Sequence, residues 1–180
     1  MQQRKLIVYI AASTDGFIAG EQDELDFLSL VEQAGEDYGY QRFIETIDTV
    51  IVGKRTYDKV LSMGYPFPHS DKEAYIITHT PQASEGSVHF YNGNLIVLVQ
   101  QLKQQSGKHI FCDGGANIIH QLLSHQLVDE LYISVIPVLL GSGISLFKSG
   151  RPMQPLQLIS ATSYPKGLVQ LHYECLPVVK

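Results

Sequence analysis

The chain has 180 residues, 44% of them hydrophobic, which is enough to bury one core without disulfides or metals, so a single domain over residues 1–180 is expected. A formal net charge of −5 and a pI near 5.7 exclude a general nucleic-acid binder, because neutralising phosphates needs a concentrated field of Lys and Arg. The first apolar run, residues 6–10, is too short for a signal sequence or a membrane span, and the expected location is the cytoplasm.

Residues 6–11 read as a buried β-strand, followed by a small, apolar loop in which Asp15-Gly16 makes a tight turn. The loop lacks GxGxxG, which argues against a Rossmann nucleotide site at the first crossover. Tyr40, Phe43, Ile44 and Ile47 have the i, i+3, i+4, i+7 spacing of an amphipathic helix. A strand at 49–52 passes through Gly53 into a helix that opens with Lys54, Arg55 and Thr56, and residues 63–70 form a surface loop. Strands at 74–78 and 88–91 precede a helix striped by Leu95, Leu98, Val99 and Leu102. A strand at 109–112 then turns through two glycines into a helix striped by Ile118, Ile119, Leu122 and Leu123. After a strand at 130–135 and a loop at 141–150, segments 156–164 and 168–176 flank Pro165-Lys166-Gly167 as an antiparallel hairpin. This order predicts an α/β fold with a mixed sheet closed by the C-terminal hairpin. Cys112 and Cys175 lie singly in apolar segments and read as buried free thiols, and the scattered histidines predict no metal site.

Two strand-to-helix turns have the chemistry of anion binding. At Gly53-Lys54-Arg55-Thr56, unpaired helix N–H groups, two cations and a hydroxyl suit a phosphate, although a plain turn with solvated cations fits the spacing equally. At Asp113-Gly114-Gly115-Ala116-Asn117, paired glycines let the backbone approach a pyrophosphate or a flat ring, or simply end a strand. Asp37 precedes Tyr40 by three residues. On an extended helix its carboxylate would join the core-facing stripe with a raised pKa and serve as proton donor or substrate anchor; alternatively, it caps the helix. Tyr38, Tyr40, Phe27 and Leu28 either line a substrate or form plain core.

Together these segments resemble the dihydrofolate-reductase-like superfamily, and within it small bacterial proteins similar to the reductase domain of bifunctional riboflavin-biosynthesis enzymes. The carriers are Ile-Ala-Ala-Ser-x-Asp-Gly-Phe-Ile-Ala of 10–19, Val-Gly-Lys-Arg-Thr-Tyr of 52–57, Asp-Gly-Gly-Ala of 113–116, Asp-Glu-Leu-Tyr-Ile-Ser-Val-Ile-Pro-Val-Leu-Leu-Gly-Ser-Gly of 129–143 and the closing hairpin. The resemblance implies a three-layer α/β/α fold with a mixed, mostly parallel central sheet and NADPH across the strand C-termini: main-chain groups of Ala12 and Ile18 at the nicotinamide carboxamide, and Gly53, Lys54, Arg55 and Thr56 at the adenine-side phosphates. It further implies Thr78 and His79 at the 2′-phosphate, and Asp113, Gly114, Gly115, Ala116 and Asn117 at the pyrophosphate and nicotinamide side. Asp37 aligns with the substrate-binding carboxylate of folate reductases, and Ser134 with a hydroxyl that hydrogen-bonds to it, making these two the expected catalytic residues. His79 stands where many relatives have arginine, and Ile118 or Ile119 replaces the tyrosine that follows the glycine turn in folate reductases.

The implied activity is an NADPH-dependent oxidoreductase that transfers hydride to C=N or C=O of a pterin- or pyrimidine-like heterocycle. One alternative is the 5-amino-6-(5-phosphoribosylamino)uracil reductase activity of riboflavin biosynthesis. Another is a nucleotide-binding or sensing protein that keeps the fold without turnover. A homodimer is expected, with the apolar segment 128–140 pairing with its copy, unless that segment is an internal strand.

Overall fold

The computed structural model describes residues 3–177. Its strands are β1 (Leu6–Ser13), β2 (Phe17–Ala19), β3 (Ile47–Gly53), β4 (Glu73–Ile77), β5 (Val88–Tyr91), β6 (His109–Gly114), β7 (Glu130–Ile136), β8 (Ile144–Ser145), β9 (Leu156–Ser163) and β10 (Val169–Cys175). Four helices, α1 (Tyr40–Ile44), α2 (Lys54–Ser62), α3 (Leu95–Gln104) and α4 (Ala116–Ser124), join them, with a short 3-10 helix at Asp26–Val31. Among the described residues no helix is long and apolar enough to cross a membrane.

The main sheet has the order β5-β4-β3-β6-β1-β7-β10-β9. The strands from β5 to β7 run parallel; β10 and β9 run antiparallel and close the sheet as a hairpin. Period-two alternation sends Leu6, Val8, Ile51, Ile110 and Cys112 to one face, where Leu98, Val99 and Leu102 of α3 and Ile119 and Leu122 of α4 cover them. The opposite face sends Ile7, Val50 and Phe111 against Phe43 of α1, and Val52 and Ile76 against Tyr57 of α2. Phe27 and Val31 of the 3-10 helix pack on Ile136 and Leu168. The result is the expected three-layer α/β/α architecture with a mixed, mostly parallel sheet.

Three expectations are corrected. The stripe ending at Ile47 is only half helix: α1 stops at Ile44, and the β-branched residues Thr46, Ile47, Thr49 and Val50 take the chain into β3. The loops around residues 17–19 and 144–145 pair with each other as a two-stranded ribbon, β2-β8. Gly143 permits this approach, because a Cβ there would lie 2.2 Å from the Ala19 carbonyl oxygen. Lastly, β7 has β1 on one edge and β10 on the other, so Glu130–Ile136 is an internal strand, and the edge-pairing reading of segment 128–140 gives way to its internal alternative. The free edges of the sheet belong to β5 and β9.

Candidate functional site

The two glycine turns meet at the C-terminal edge of the sheet. β3 and β6 are neighbours with Val52 opposite Gly114, so α2 and α4 begin side by side. A Cβ on Gly53 would come within 3.3 Å of Ile118 and 3.5 Å of the Gly115 nitrogen, and one on Gly115 within 3.1 Å of the Thr56 hydroxyl oxygen. Only glycine leaves this seam open. Neither helix start is capped by a side chain, so two sets of first-turn N–H groups and two positive dipole ends converge there. Among the described residues the Thr56 hydroxyl has no hydrogen-bond partner.

The cations of this edge are engaged, but only at the surface. Lys54 reaches Asp58 of its own helix at 2.6 Å, and Arg55 straps Asp23, in the loop after β2, at 2.5 Å. The Arg55 side chain is 72% exposed, and an exposed pair of this kind contributes about 1 kcal/mol at most, so an arriving phosphate can exchange with the carboxylate. Lys148, carried by the loop after β8, donates to the Asn117 side chain at the start of α4. It is a third cation beside the seam.

Of the other expected cofactor residues, Ala12 is buried at the end of β1 and Ile18 packs half-buried against the main core. Asp15 accepts from Ser13 (2.6 Å), Gly141 N (2.7 Å) and Leu140 N (3.1 Å), which ties the first turn to the loop after β7. These bonds, led by the Ser13 hydroxyl, hold its carboxyl below the usual range. The Thr78 hydroxyl is buried and accepts from Thr80 N at 3.1 Å, while His79 is exposed.

On the α1 face, aromatic rings and amide groups form a second surface. Tyr9 stacks on Phe43 at 4.6 Å and meets Tyr40 edge-on at 5.7 Å. Its hydroxyl donates to the Tyr38 carbonyl (2.8 Å) and accepts from the Gln170 amide (2.7 Å); burial pushes it up to about 12. Burial also raises Tyr40, helped by the nearby charge of Asp113, and its hydroxyl has no protein partner among the described residues.

The expectations for Asp37 and Ser134 are corrected here. Asp37 is exposed, and its oxygens accept from Gln41 N (2.8 Å) and Gly39 N (2.9 Å), capping α1. Those bonds hold its carboxyl below the usual range rather than above it. Ser134 is buried and accepts from Gln170 at 3.1 Å instead of pairing with Asp37.

The carboxylate at the seam is Asp113. It follows Phe111 by two residues in β6, so it shares the α1 face, and its side chain is 28% exposed. Its one side-chain partner among the described residues is His69 Nε2 at 3.3 Å, which leaves Oδ1 without a side-chain partner there. His69 and Lys148 were not singled out by sequence, and Tyr40 only as a ring that lines a substrate or forms core. His69 sits in what reads as a surface loop, and its 44-residue separation from Asp113 leaves no local signal. Of the cysteines, Cys112 is fully buried and Cys175 half-buried, and burial pushes them up to about 12 and about 11 respectively.

Residues 66–170 match the model of the RibD C-terminal domain family. Protein YwjB of Bacillus subtilis (strain 168), itself uncharacterised, is 39% identical over 172 residues, which is 95% of this chain and 98% of that one. A Shewanella sp. PV-4 crystal structure, assigned by name to riboflavin biosynthesis, superposes with a TM-score of 0.87 at 29% identity, covering 96% of this chain and 99% of that one. Dihydrofolate reductase from Enterococcus faecalis, in complex with NADP(H) and RAB-propyl, shares the fold: TM-score 0.66 at 15% identity, over 95% of this chain and 96% of that one.

Proposed function

Because the chain belongs to the RibD C-terminal domain family, we propose that it is an NADPH-dependent reductase transferring hydride to C=N or C=O of a flat, pterin- or pyrimidine-like heterocycle. The observation that carries this reading is the convergence of two uncapped helix starts on a seam that a Cβ would fill, a shape and polarity suited to a dinucleotide's diphosphate. When bound, NADPH supplies the hydride.

The chain's own residues hold and orient. Gly53 and Thr56, with Arg55 released from Asp23, would grip phosphate oxygens from α2; Gly115, Ala116 and Asn117 would do so from α4, with Lys148 adding charge. Thr78 and His79 end the neighbouring strand, on the side assigned to the 2′-phosphate, and Ala12 and Ile18 border the nicotinamide end. The open oxygen of Asp113 accepts an N–H from the heterocycle's edge and orients the ring, and the proton that balances hydride addition comes from solvent water. Tyr9 and Tyr40 wall the ring. Asp37, with both oxygens already used as a cap, stabilises α1.

The phosphoribosylamino-uracil alternative needs cations for a substrate phosphate. Asp113 has no Lys or Arg partner among the described residues, and the cavity of about 360 Å³ at the mouth of the β2 loop is lined by Glu21, Glu24 and Asp26. Both features favour an unphosphorylated heterocycle. The chain has ten tyrosines and no tryptophan, so titration with NADPH and NADH is followed by tyrosine quenching and transfer to the nicotinamide. Micromolar binding of NADPH with oxidation by a dihydropterin acceptor is expected; binding of neither dinucleotide would refute the proposal.

A further inference from the structure

We infer that His69 is a positioning residue: its Nε2–H anchors one oxygen of Asp113 so that the other is presented to the substrate beside the glycine turn. This rests on the reductase reading for its consequence, but the pair itself stands on the geometry. His69 is carried by the connection between α2 and β4, and its side chain is 3% exposed. Phe67 and Phe111 meet the imidazole edge-on at 5.3 and 5.6 Å, a slot that an aromatic or aliphatic side chain would fill without burying polar atoms. Among the described residues His69 Nδ1 is buried with no partner, so the ring keeps a polar atom in an apolar slot while making a single polar contact there, to Asp113 Oδ2 at 3.3 Å.

The tautomer follows from the partners. An ionised carboxylate only accepts, so the shared hydrogen sits on Nε2. His69 is therefore the donor of the pair. Asp113 has no other side-chain partner among the described residues, so without His69 its rotamer is unrestrained. Ionisable neighbours among the described residues include Tyr40, which is raised by the charge of Asp113, and exposed Asp71, two residues along the loop from His69.

Two variants separate positioning from packing. His69→Gln places an amide N–H where Nε2–H was; His69→Phe fills the slot without a donor. The expected result is that Gln keeps kcat within about threefold while Phe lowers it by about tenfold or more, with NADPH affinity unchanged in both. Equal activity of His69→Phe and wild type, or an equal loss in both variants, overturns the inference. Long-range ¹⁵N–¹H spectra of the intact protein test the pair without turnover: wild type should show His69 as the Nε2–H tautomer, and Asp113→Ala should shift that signal. An Nδ1–H tautomer, or a signal indifferent to Asp113→Ala, overturns the pair. If wild type shows no reductase activity while the spectra behave as expected, the reductase reading fails and the His69–Asp113 contact does not.

Discussion

The two ends of the sheet carry similar numbers of charged and polar groups and treat them differently. At the N-terminal end, Arg4 is 4% exposed and fully used: it donates to the Lys108 carbonyl (2.6 Å), the Leu102 carbonyl (3.2 Å), Thr49 (2.7 Å) and Asp48. Glu130 is gripped by Lys5 at 2.5 Å and His172 at 2.9 Å, and Asp129 by Lys103 at 2.5 Å. A cavity of about 320 Å³ opens there, but its two charged residues, Arg4 and Lys103, are already paired. At the C-terminal end, α2 and α4 start uncapped, and among the described residues the Thr56 and Tyr40 hydroxyls and one oxygen of Asp113 have no side-chain partner. Charge that is neutralised within the protein stabilises the fold; polar groups left uncommitted beside a glycine seam are what a ligand needs.

Substitutions on either side should therefore separate stability from binding. The largest effect is expected for Arg4→Ala, which orphans buried carbonyls and Asp48: a loss of about 3 kcal/mol or more in urea unfolding, with NADPH affinity of the folded fraction unchanged. Asp113→Asn reverses that pattern, lowering kcat about a hundredfold while the urea midpoint moves by less than about 0.5 kcal/mol.

Glu130→Gln should cost about 2 kcal/mol, discounted because Lys5 is partly exposed. Burial opposes ionisation of Glu130, yet the hydrogen bonds from Lys5 and His172 hold its carboxyl below the ordinary 4.5, while the Glu130 contact raises Lys5. The Glu130 contribution is thus present above pH 4.5 and lost as pH falls through the lower folded value. The Lys5 contribution is complete below pH 10.5 and lost as pH rises through its raised value. The variant's acid-side stability profile should flatten, and an unchanged profile would remove this network from the account. Gly115→Ala, which closes the seam against Thr56, should weaken NADPH about tenfold by fluorescence titration. The smallest change is expected for Asp37→Asn, because asparagine also caps: kcat within about twofold of wild type.

That last case shows what was legible in the sequence. The β-branched runs at 49–52 and 109–112 and the glycines after them are local features, so the strands and both turns could be read directly. Asp37 illustrates a local rule prevailing: an acidic residue three positions before a helical stripe is a cap, and the structure uses it as one. The stripe from Tyr40 to Ile47 misled because a strand residue happened to fall on the helical period. Tyr9 with Gln170 and His69 with Asp113 are separated by 161 and 44 residues, so they meet only through the sheet order and had no sequence signature.

The most direct test of the account is to titrate the ¹⁵N-labelled protein with NADPH and map the amide shifts. The account predicts perturbations concentrated at Gly53–Thr56 and Gly114–Asn117, with the amides around Arg4 and Gly107 undisturbed. Shifts centred on the Arg4 end, or none at the glycine seam, would contradict it.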